Sequence, residues 1–233
     1  MAQAPLRLRQ SPDLPDVLLH MTWRYGRRPA PLPQGVDTQT AAQRVASILY
    51  MGGIFYGRTF DTPTRVVCFA QTTRRALSAL TSNRFFPTGI AFRKQAVWDA
   101  GGGPVHYVRG DQWDEWRSAQ LPDAIKALGV RLWPDNLGAT DAASFFRDGV
   151  RGPSEWMHER EWRIPQPARA PWGWTFAREA VAFLIFAEPG QRDEMLATLR
   201  HWHGDDGWAA SLPVAYHTPD RETFEGVGDD LWP

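Results

Sequence analysis

One cysteine in 233 residues, Cys68, leaves no partner for an internal disulfide and too few thiols for a cysteine-rich zinc module. It lies in the apolar run Val66-Val67-Cys68-Phe69-Ala70, which reads as a strand carrying a buried, inert thiol rather than a nucleophile. Long hydrophobic runs are missing too. None approaches the roughly 20 residues that cross a bilayer, and the amino terminus lacks the charged-then-apolar order of a signal peptide, so a cytoplasmic protein with no membrane contact is expected. Net charge is absent: 26 Lys and Arg balance 26 Asp and Glu, which argues against dominant non-specific nucleic-acid binding. That balance conceals an asymmetry, with 15 basic against 8 acidic residues up to residue 120 and 11 against 18 beyond it. Such a split suits either a basic wall for an anionic ligand or two halves that attract each other.

Several catalytic signatures are also missing. There is no G-x-S-x-G, no P-loop and no Rossmann glycine pattern, and the Gly101-Gly102-Gly103-Pro104 run reads as a tight connector. His158-Glu159 begins like a zinc-protease motif, but that motif needs a histidine at position 162, where Trp162 stands. His201-x-His203 with Asp205 and Asp206 has ligand types at an ordinary helix end and turn, so no metal site is expected.

What is present fits one domain over residues 1–233, with 1–15 as a lead-in and 220–233 as a peripheral acidic tail. Hydrophobic content of 43% and charged content of 22% are ordinary for a globular chain, whereas 12 Trp are many. Strands are expected at Asp16–Trp23, 65–70, Gly89–Phe92, Val105–Val108, Val181–Phe186 and Leu212–His217. The run at 181–186 is apolar on both faces and reads as a central strand. Helices are expected from Asp37 or Thr38 to Met51, Thr73 to Leu80, over Asp111–Val130 with a break at Pro122, from Thr140 to Arg147, and over Pro189–Trp202. Strands and helices mix without strict alternation, which indicates α+β.

The candidate chemistry centres on Ser154–Pro165. As a strand it would place Met157, Glu159, Glu161 and Arg163 on one face and Trp156, His158, Arg160, Trp162 and Ile164 on the other. Two carboxylates side by side repel and raise a pKa, which an acid/base or cation-stabilising site can use, although the same pattern describes a solvated face with alternating charges. To this pair the sequence adds an early strand ending in His20 and Thr22, and a basic, aromatic middle in Tyr50, Tyr56, Arg58 and Arg65. An aromatic and a histidine that hold a flat cationic ring, with a carboxylate that stabilises an oxocarbenium ion, would suit loss of nicotinamide from NAD. Equally, His20 could bond to backbone, and Arg163 could pair with Glu161 as a structural bridge.

Two resemblances bear on this. Val67-Cys68-Phe69, Gly89-Ile90-Ala91-Phe92-Arg93-Lys94, Gly103-Pro104-Val105-His106-Tyr107-Val108 and the late Glu-Trp-Arg are similar to the AbiGi abortive phage resistance family over roughly residues 65 to 165. Leu18-Leu19-His20-Met21-Thr22 and Glu159-Arg160-Glu161-Trp162-Arg163 resemble the histidine-bearing and glutamate-bearing strands of diphtheria-toxin-class and DNA-modifying ADP-ribosyltransferases. The second resemblance implies two facing β-sheets with peripheral helices and NAD, as substrate, in the cleft between them. It assigns His20 to the nicotinamide ribose, Glu161 to the oxocarbenium ion, Glu159 to the acceptor, and Arg58 or Arg65 to the pyrophosphate, with Thr22, Tyr50 and Tyr56 around the cofactor. The serine-threonine-serine strand of those enzymes has no counterpart, and Cys68-Phe69 stands near its place. The implied reaction is transfer of ADP-ribose to a nucleic acid or protein in bacterial defence. The first resemblance implies the alternative, a non-catalytic defence or antitoxin module that binds a protein partner or nucleotide.

Overall fold

A computed structural model describes residues 14–22, 38–58, 64–81, 87–132, 146–147, 150–151, 160–168, 172–204, 206–218 and 223–233. The strands are β1 (Val17–Met21), β2 (Gly53–Phe55), β3 (Val66–Ala70), β4 (Gly89–Arg93), β5 (Gly103–Pro104), β6 (His106–Arg109), β7 (Gly129–Leu132), β8 (Phe146–Arg147), β9 (Val150–Arg151), β10 (Glu161–Pro165), β11 (Gly173–Thr175), β12 (Val181–Phe186), β13 (Val214–Thr218) and β14 (Thr223–Glu225). The helices are α1 (Ala41–Met51), α2 (Arg74–Thr81), α3 (Lys94–Asp99), α4 (Trp113–Ser118), α5 (Asp123–Lys126), α6 (Pro189–His203) and α7 (Gly207–Ser211). The class is α+β.

Eight strands form one mixed sheet in the order β14-β13-β12-β4-β1-β3-β10-β5, beside two-stranded ribbons β11-β2, β6-β7 and β8-β9. The two facing sheets implied by the transferase resemblance are therefore not what carries the core among the described residues. Helices α1 and α6 lie together on one face, over Leu18, Phe69, Ile90, Phe92, Trp162, Ile164, Leu184 and Phe186. The opposite face is built on Val17, Leu19, Ala91, Phe183, Ile185 and Ala215, covered by Leu77 of α2 and by Phe224, Val227 and Trp232.

Local chemistry explains most of these elements. Helix α1 starts where the Thr40 hydroxyl accepts the Gln43 amide and the Gln43 side chain accepts the Thr40 amide. It ends at Gly52, whose φ of +59° suits a residue without Cβ. Strand β12 is buried at all six positions between β4 and β13, as its unbroken apolar run implies.

Three expectations change. Of the expected peripheral tail, the described residues 223–233 are not peripheral: Phe224 sits on β14, Trp232 is fully buried, and the Trp232 indole donates to Thr72 O. Arg74 draws that segment in by donating to the carbonyls of Phe224, Val227 and Trp232. The helix expected through Val130 stops at Lys126, and Gly129–Leu132 pairs in parallel with β6 instead. Of the helix expected from Thr140, only Phe146–Arg147 is described, and it is extended.

Candidate functional site

Strand β10 carries the carboxylate that the sequence singles out. It begins at Glu161, because Arg160 has a φ of +44° and so breaks the extended backbone there. Glu159 lies outside the described residues, so of the two carboxylates Glu161 is the one whose surroundings can be described. Alternation along β10 follows the expected parity: Trp162 and Ile164 enter the helix-covered core, and Glu161 and Arg163 point the other way.

Glu161 is closed on its neighbour two residues along. Arg163 Nε donates to Oε1 at 2.8 Å and Nη2 donates to Oε2 at 3.1 Å, a bidentate pair with Glu161 8% and Arg163 5% exposed. The remaining Arg163 donor, Nη1, reaches Ala127 O at 2.9 Å and Gly129 O at 3.0 Å and so fastens the β6-β7 ribbon to the main sheet. Cys68 lies directly across from Arg163 on β3 and on the same face of the sheet. Burial lowers the Arg163 pKa, but the Glu161 carboxylate and the Cys68 sulfur outweigh it and hold the guanidinium above its ordinary value. Cys68 is half-buried, not fully buried as its apolar run suggests.

His20 belongs to the other face. Leu19 pairs with Ala70, and Ala70 pairs with Glu161, so Leu19, Ala70 and Glu161 share one face of three neighbouring strands. His20 alternates to the opposite side, where its ring packs edge-on to Phe69 at 5.8 Å between centroids. The sheet itself stands between His20 and Glu161. The nicotinamide clamp and the carboxylate implied by the transferase resemblance are thus not brought into one cleft. His20 Nδ1 donates to Cys68 O at 2.9 Å, and a carbonyl can only accept, so the lone pair of the neutral ring is on Nε2.

The cofactor candidates disperse as well. Thr22 is buried, with its hydroxyl directed at the carbonyls of Ala41 and Thr88 at 3.0 Å each. Tyr56 is buried, and burial pushes its phenol above the ordinary value. Tyr50 is exposed on the last turn of α1, edge-on to Trp202 of α6, in an open groove lined also by Ser47, Met51 and His201. Arg58 and Arg65 are exposed and flank the isolated bridge between Gly57 and Val66, and that register carries them opposite each other. Among the described candidates these two are therefore neighbours by register.

No model of a known protein family matches the chain, and neither does any curated protein or solved structure. Among the described residues no group of three or more His, Cys, Asp and Glu side chains could hold a metal ion. No described helix is long and apolar enough to cross a membrane.

Two residues that sequence reasoning passed over organise this region. Gln71 is buried between β1 and β10, where it accepts from Trp162 Nε1 at 3.0 Å and donates to Pro15 O at 3.1 Å. Arg74 starts α2, where the helix dipole disfavours a cation, and the carbonyls of the C-terminal segment compensate. The misplaced charge was a visible signal for Arg74. Gln71 gave none.

Proposed function

We propose that the chain is a non-catalytic binding module, of the defence or antitoxin kind that the abortive phage resistance resemblance implies, with a protein as its partner. One observation carries the reading. The only described carboxylate of the late motif is buried, neutralised bidentately by Arg163, and separated by the sheet from His20. A carboxylate that stabilises an oxocarbenium ion must meet it directly in a shared pocket. Glu161 instead serves cohesion, since Arg163 spends its other donor on the β6-β7 ribbon. The zero net charge favours a protein over nucleic acid as partner.

The transferase reading keeps one specific support, which is that the histidine-bearing and glutamate-bearing strands both flank β3. It would have to bind NAD on the Glu161 face, open the Arg163 pair, and do without His20. Nicotinamide release from NAD, measured with wild-type protein and with Glu161→Gln, separates the two. The binding reading expects no release above the buffer rate and no rise in melting temperature with NAD. Release that disappears in a folded Glu161→Gln variant would establish the transferase instead.

A further inference from the structure

The eight-stranded sheet is continuous in order but not in its bonding. Strand β1 is paired with β4 along its whole length, from Val17↔Arg93 to Met21↔Gly89, and β3 is paired with β10 from Val66↔Pro165 to Ala70↔Glu161. Between β1 and β3, two strands of five residues each, the register holds at Leu19↔Ala70 alone.

Backbone direction shows what replaces the ladder. Thr22 N donates to Thr88 O and Lys94 N donates to Asp16 O, so even-numbered residues of β1 face β4 and odd-numbered ones face β3. On β3, Gln71 N donates to Arg160 O and Val66 exchanges bonds with Gly57, so odd-numbered residues face β10 and even-numbered ones face the β1 side. By the Leu19↔Ala70 register Cys68 stands opposite Met21, the last residue of β1, and its carbonyl is met by the His20 side chain, whereas Val66 lies beyond the end of β1 and bonds to Gly57. At the other end Gln71 Nε2 reaches across to Pro15 O. One side chain, that of His20, therefore stands where a backbone rung would otherwise be, and that of Gln71 ties the boundary just before β1 begins.

We infer that the β1-β3 boundary is a built-in joint, at which the block β14-β13-β12-β4-β1 opens from the block β3-β10-β5 with His20 as its pin. Among the described residues the boundary has one register pair, where its neighbours have five each, so although Leu18, Phe69 and Phe92 pack across it, its backbone bonding opens by a smaller fluctuation than theirs. His20 has this task in either protonation state, because Nδ1 donates to Cys68 O in both.

Residue-resolved amide exchange on the full chain tests it. The Leu19 and Ala70 amides report the joint, those of Leu18 and His20 report the β4 side, and those of Val67 and Phe69 report the β10 side. The expected result is exchange at Leu19 and Ala70 faster by at least roughly tenfold than at the other four. His20→Ala is expected to accelerate Leu19 and Ala70 selectively, and His20→Asn, which keeps a donor at the Nδ1 position, to restore them. Equal rates at all six amides in the wild-type protein would overturn the joint. Equal acceleration of all six by His20→Ala would overturn the pin.

Discussion

Arg163 and Glu161 form a pair whose removal from one side is costly, because a charge desolvated with its partner is left alone. Glu161→Gln is expected to lower the unfolding free energy by about 3–5 kcal/mol, and Glu161→Met with Arg163→Met to recover most of it, as apolar replacements of buried pairs commonly do. Urea denaturation checks both, and a loss below about 0.5 kcal/mol for Glu161→Gln would place the pair among solvent-screened ones. His217 on β13 offers a test through pH. Burial pushes its imidazole below the ordinary 6.5, beside the Phe224 ring at 5.0 Å. The folded state thus favours the neutral ring, and the unfolded chain binds more protons in the interval between the folded value and 6.5. The contribution is complete above 6.5 and is lost as pH falls through the folded value. Melting temperature should accordingly drop more on acidification from about pH 7 to about pH 5 in the wild type than in His217→Phe. At this scale the sequence was informative about identity and silent about direction. Strand parity on β10 put Glu161 beside Arg163 and opposite Trp162, and the possibility of a bridge followed from that alone. That His20 would face the other way depends on the pairing of Leu19 with Ala70, a long-range register that no local pattern encodes.

Elements with strong local signals formed where the residues called for them. Helix α1, which stops at Gly52 as expected although its cap is Thr40 and not Asp37 or Thr38, and β12, with six consecutive apolar residues, are of this kind. Thr40→Ala should cost about 1 kcal/mol through the lost cap, with a further loss from its bond to Glu194 of α6. Short pieces were harder to foresee. Strands β2, β5, β7 and β11 hold two to four residues each, too few for a period to show, and each exists because a distant strand pairs with it. The C-terminal segment reads as a solvated tail by its acidic residues, yet Trp232 fills the face beneath Phe183 and Phe224 at ring distances of 5.4 and 5.1 Å. Trp232→Ala should therefore destabilise by about 3–5 kcal/mol, measured by denaturation. A loss under about 1 kcal/mol would mean that the segment is dispensable to the core.

Across the molecule, two helices on one face and a short helix with the C-terminal segment on the other enclose a single sheet, and polar groups of the late motif are drawn into holding it together. The α+β class was legible in the mixture of periods, whereas the layout of one eight-stranded sheet was not, because strand order is decided by contacts far apart in sequence. The same holds for the candidate site. Those candidate residues for NAD chemistry that are described are distributed by the fold over two faces, a helix end and a loop. The most direct measurement is nicotinamide release from NAD by the wild-type chain, with and without Glu161→Gln, under conditions where both are folded. The account predicts no release above the buffer rate from either. Release by the wild type that falls by orders of magnitude in Glu161→Gln would contradict it.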